Sequence, residues 1–133
     1  MPSGIPVKKR VVVFDEFVQQ SLKNNTVVQG QVVVHVNFLS EDWEYSGIRI
    51  WPTTYLIAHD SDHKSKILQV VNINWYPTYM QLKGPVTPFT LIFEGLPKSC
   101  TQFDLVEEIP QAGGFEYRNI KRNQSDVYHI ELS

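Results

Sequence analysis

Short apolar runs with a period of two, each cut off by Pro, Gly, Asn or Asp, constrain this chain more than any other feature of its sequence. Successive side chains of a strand leave on opposite faces, so such a run offers one apolar edge to a core; wound into a helix it would scatter those residues around the axis. The run from Val27 to Phe38 is the clearest. Val32, Val34, Val36 and Phe38 share one face, and Gln31, Val33, His35 and Asn37 share the other. A β-branched and aromatic face of this kind predicts a core strand whose second face is partly wet.

The pattern recurs down the chain. Ser46 to Ile57 alternates around Pro52, which removes a ladder donor and predicts either an edge strand or two strands joined at a bend. His59 to Lys64 is a polar hairpin loop. Lys66 to Trp75 resumes with Ile67, Gln69, Val71, Ile73 and Trp75 on one side, and Tyr79 to Lys83 reads as a short strand. Phe89 to Glu94 turns Phe89, Leu91 and Phe93 inward, and Phe103 to Val106, Phe115 to Ile120 and Val127 to Leu132 close the series. Seven to nine short strands at this spacing predict an all-β, immunoglobulin-like antiparallel sandwich. One stretch dissents: Phe14, Phe17, Val18 and Leu22 fall at helical spacing behind Asp15. A short helix near residues 15–23 and a continuation of the first strand both account for it.

With 133 residues, 42% of them hydrophobic, the chain can bury one core, so residues 1–133 are read as a single domain. The net charge of -2 provides no field to draw in nucleic acid or an acidic membrane surface. Cys100 is the only cysteine, which excludes an internal disulfide and a cysteine-based zinc site. The apolar run after Lys8-Lys9-Arg10 stops at Asp15, too soon for a signal peptide. The chain as written reads as cytoplasmic, or as secreted or periplasmic where a leader has been removed.

The stretch Phe89-Thr-Leu-Ile-Phe-Glu-Gly-Leu-Pro-Lys-Ser-Cys-Thr-Gln-Phe-Asp104, with Gly47-Ile-Arg-Ile-Trp-Pro-Thr-Thr-Tyr-Leu56 upstream, resembles small bacterial immunoglobulin-like β-sandwich modules. Some of these stand before thioredoxin-like domains in secreted proteins. The resemblance covers residues 46–120 and implies an accessory module without catalytic residues or a cofactor. No Cys-x-x-Cys follows, so redox chemistry does not carry over, and residues 15–25 have no counterpart in the pattern.

Chemistry-bearing residues are few. His59, Asp60, Asp62 and His63 supply metal-ligand types within five positions, but an extended chain sends the histidines and the aspartates to opposite sides, and Asp-Ser-Asp-His-Lys is also ordinary turn chemistry. His35, His129 and Ser99 lack the nucleophile-elbow motif that would organise a triad. Glu107 and Glu108 are adjacent and so face opposite sides of a strand, unlike a glycosidase pair. Sequons at Asn24 and Asn123 fall in expected loops.

The aromatics concentrate in the middle third. Trp51 and Trp75 are expected between the sheets, whereas Trp43, Tyr76 and Tyr79 are the candidates for a ligand- or partner-binding surface. The functional expectation is a non-catalytic module engaging a protein partner, itself included, through sheet edges or these aromatics. Carbohydrate or small-ligand binding on the same rings is the first alternative, and a metal-dependent enzyme at the 59–63 loop is the second.

Overall fold

The computed structural model describes residues 30–133; the helical spacing near 15–23, the start of the Val27 run and the Asn24 sequon lie outside the described residues. The described chain is all-β. Its strands are β1 (Gln31–Leu39), β2 (Gly47–Ile48), β3 (Thr54–Ala58), β4 (Lys64–Val71), β5 (Met80–Gln81), β6 (Val86–Glu94), β7 (Gln102–Glu107), β8 (Glu116–Lys121) and β9 (Val127–Leu132), with one 3-10 turn at Trp43–Tyr45.

Seven strands form one mixed sheet in the order β8-β7-β3-β4-β6-β1-β9, and β2 and β5 form a small second sheet. Every pair in the large sheet is antiparallel except β1 with β9, which run parallel. The sheet curls until its two halves face each other. Phe103 of β7 meets Tyr128 of β9 edge-on at 5.1 Å, and Phe115, just before β8, lies 5.7 Å from Phe38 of β1 and 6.1 Å from Phe89 of β6. The result is sandwich- or barrel-like, with one continuous sheet supplying both walls.

The alternation sets what fills the space between the walls. Val32, Val34 and Val36 of β1, Phe89, Leu91 and Phe93 of β6, and Tyr128, Ile130 and Leu132 of β9 are buried, facing Leu56 of β3 and Phe103 and Leu105 of β7. Pro52 separates β2 from β3, so the two-strand reading of that segment holds, and β3 lies inside the sheet between β4 and β7.

Two expectations fail on local backbone geometry. Lys66 to Trp75 does not alternate throughout, because β4 slips register against β6 between Ile67 and Gln69. The bulge leaves Leu68 exposed, returns Val70 toward the core, and β4 ends at Val71 before Asn72 turns at φ 64. Trp75 therefore reaches the surface, 36% exposed, instead of packing between the sheets, and Trp51 is only half-buried.

Candidate functional site

The small sheet carries the aromatic cluster. Gly47 pairs with Gln81 and Ile48 with Met80, and continuing that register sets Arg49 across from Tyr79. Period two then puts Gly47, Arg49 and Trp51 on the outer side, while Ile48 and Ile50 are buried and anchor the segment. The stretch of residues 74–76, between β4 and β5, is tied to the same segment: Ile50 N–H donates to Asn74 O at 2.9 Å and Tyr76 N–H to Ile50 O at 2.8 Å. The Gln81 side-chain amide donates to Trp43 O and Ser46 O, both at 3.1 Å, and holds the 3-10 turn against the sheet.

Arg49 is the centre of this surface. Its guanidinium carbon lies 4.6 Å from the ring centroid of Tyr76 and 4.1 Å from that of Tyr79, and Nη1 donates to Pro77 O at 3.0 Å across the turn that begins with the cis Tyr76–Pro77 peptide. Trp51 meets Tyr76 edge-on with ring centroids 3.7 Å apart. The rings remain open to solvent, Tyr79 at 60% and Tyr76 at 37%.

A cleft of about 220 Å³ opens beside them, between Gly47, Arg49, Trp51 and Tyr79 on one side and the 111–113 loop on the other. Gly47 allows the close approach of the two strands of the small sheet, since a Cβ there would stand 3.1 Å from Met80 O and 3.3 Å from Tyr79 Cβ. Glu107 also lines the cleft, yet it is buried, and both carboxylate oxygens are engaged. Trp51 N–H donates to Oε2 at 2.9 Å and Phe115 N–H to Oε1 at 3.0 Å. Burial pushes the Glu107 carboxyl up, against the lowering effect of those two N–H groups and of the Arg49 charge. Glu107 therefore braces the entrances to β3 and β8.

Of the sequence candidates, Tyr76 and Tyr79 are brought together and exposed. Trp43 is not exposed with them: it packs half-buried against the core, and the turn presents Tyr45 instead, at 90% exposure. Arg49, which the structure places among these rings, is not one of the sequence candidates. Its position two before Trp51 in a period-two run was the available signal, since it predicts a shared face.

The 59–63 loop does not converge. His59 Nε2 lies 2.8 Å from Asp104 Oδ1, while His63 Nε2 lies 2.8 Å from Ser65 Oγ; Asp60 and Asp62 are exposed. Among the described residues no three His, Cys, Asp or Glu side chains are grouped to hold a metal ion. Asp104 serves the sheet. β8 bulges opposite it, with Asn119 at φ 62, and Asp104 accepts Asn119 N–H at 2.8 Å and Arg118 Nη1 at 2.9 Å. Burial disfavours the Asp104 anion, but the His59 and Asn119 hydrogen bonds and the Arg118 charge outweigh it and hold the carboxyl below its usual range. His63 and Ser65 are not a base and nucleophile, because Ser65 Oγ donates its proton to Gly95 O at 2.8 Å and so accepts from His63.

Asn123 of the second sequon is bound within its own turn, donating Nδ2–H to Val127 O at 2.9 Å. No helix among the described residues is long and apolar enough to cross a membrane. Comparison with family models, curated proteins and solved structures finds no match for this chain.

Proposed function

We propose that this domain is a non-catalytic binding module that docks a protein partner on the surface formed by Arg49, Tyr76 and Tyr79. The observation that carries the reading is the Arg49 guanidinium held over two exposed tyrosine rings. Trp, Tyr and Arg dominate the energetics of protein interfaces, and Tyr and Trp bury large planar surfaces at small cost in rotamer freedom. Here the arginine is already immobilised by its rings and by Pro77 O, so little ordering remains to oppose binding. The sequence resemblance to immunoglobulin-like accessory modules agrees with this role, and so does the engagement of His59, His63, Ser65 and Glu107 in holding the backbone together.

Replacing Tyr79 with a photo-cross-linking residue in the native host tests it, with the same replacement at exposed Lys98, in the β6–β7 turn, as control. A discrete protein adduct at position 79 that disappears in the Arg49→Ala background is expected. An adduct twice the mass of the chain identifies the partner as a second copy. Equal labelling at both positions, or none at 79, overturns the proposal. The exposed rings also suit stacking on a sugar, so tryptophan fluorescence titrated with a glycan panel should stay flat; a saturable response would favour carbohydrate as the ligand.

A further inference from the structure

On the outward face of the large sheet, Val71, Thr90, His35 and His129 form one transverse row across β4, β6, β1 and β9. The two imidazoles stack with centroids 5.0 Å apart and planes inclined by 28°. His35 Nδ1 lies 2.8 Å from Thr90 Oγ1, which fixes its ring. We propose that the His35–His129 stack is a proton-operated catch on the edge strand β9, closed while at most one imidazole is charged and released when both are.

Two stacked imidazolium ions at this spacing repel each other, and the half-buried His35 must lose hydration to become charged. Both effects, burial first and the His129 charge second, hold the His35 imidazole below the ordinary histidine range. The surroundings offer little relief. Thr90 on β6 and Val71 on β4 carry no charge, and Glu94 lies four residues along β6, where it accepts the Lys66 N–H. Glu131 on β9 shares the outward face with His129 and pairs in register with Asn37, and Tyr117 of β8 lines the same recess.

Separating β9 from β1 is the motion that relieves the second charge. Among the described residues β9 pairs with β1 alone. Its start is pinned, since Tyr128 OH donates to Asp126 Oδ1 at 2.9 Å and Arg122 binds the same carboxylate. Release accordingly runs from His129 to Leu132. The opened strand takes up one more proton than the closed one, so opening is promoted as pH falls through and below the histidine range.

Hydrogen exchange of the full chain, followed by NMR at about pH 7.5 and pH 5 and corrected for intrinsic rates, reads this directly. The amides of His129 to Leu132 should open about ten-fold more often at the lower pH, with Leu105 of β7 unchanged. His129→Phe keeps a stacked ring without the charge and should remove the difference. An equal change at Leu105, no change in β9, or a pH response retained by His129→Phe overturns the proposal. Should that variant not fold, imidazole titration of the unaltered chain still decides: two apparent values separated by more than about one unit support the catch, and coincident ones overturn it.

Discussion

Arg122 is bound on every side. Nε and Nη2 donate to the two oxygens of Asp126 at 2.6 and 3.0 Å, and Nη1 donates to Pro97 O and Cys100 O, both at 2.9 Å. One side chain thereby ties the β6–β7 turn to the β8–β9 turn, through groups mostly out of solvent. Arg122→Ala strands the Asp126 carboxylate and two carbonyls, so a loss of about 2–4 kcal/mol is expected from urea unfolding. Two carboxylates carry opposite pH signatures. Asp104 ionises more readily folded than unfolded, so its contribution is present above its ordinary value of 3.8 and is lost as pH falls through the lower folded value. Glu107 holds its proton more tightly when folded. As pH rises past 4.5 the unfolded chain gives up that proton first, and the contribution is lost as pH climbs through the raised folded value. Urea midpoints across pH should show Asp104→Asn flattening the acid limb and Glu107→Gln flattening the slope above it. Paired carboxylates were legible in the sequence only as adjacent letters; the tertiary fold buries Glu107, which raises its carboxyl, and brings the backbone N–H groups of residues 51 and 115 onto it, which partly offsets that rise.

At the scale of elements, the small sheet matters more than its length suggests. Two paired residues a side cannot stabilise a sheet alone. Ile48, Ile50 and Leu82, all buried, provide its attachment, and Gln81 ties down the preceding turn. Gly114 shows how tightly β8 is delivered to β7, since a Cβ there would collide with Glu107 O. Gly114→Ala must displace that backbone, and a cost of about 1–3 kcal/mol is expected from thermal or urea unfolding. Most strands were readable from alternation, because a half-buried strand writes its two faces into its residues. β4 was not readable beyond Ile67: a one-residue bulge inverts every later side chain, and nothing in the Leu68-Gln69-Val70-Val71 letters marks where the extra residue sits.

For the whole molecule, the curl of one sheet onto itself makes the core a shared cavity between halves distant in sequence. Cys100 reports on it. The thiol is 1% exposed, and burial pushes it up, against the lowering effects of the Gln102 backbone and the Arg122 charge. A disulfide reagent should label it at least about 100-fold more slowly in the native chain than in urea, with labelling tracking global unfolding. Fast labelling without loss of the circular dichroism signal would show instead that the β6–β7 turn opens by itself.

The sequence by itself determined an all-β chain, the position of nearly every strand, and the inward residues of β1, β6 and β9, because period two is a local property of the pleat. It also marked Tyr76 and Tyr79 as surface candidates, since they flank a proline where a strand ends. Tertiary structure alone decided that β9 returns parallel beside β1, that Trp75 comes to the surface, and that Arg49 sits over two tyrosines. Each of these depends on which segments become neighbours, a choice made by summed burial over the whole core and by single-residue bulges. No local pattern of residues encodes that choice.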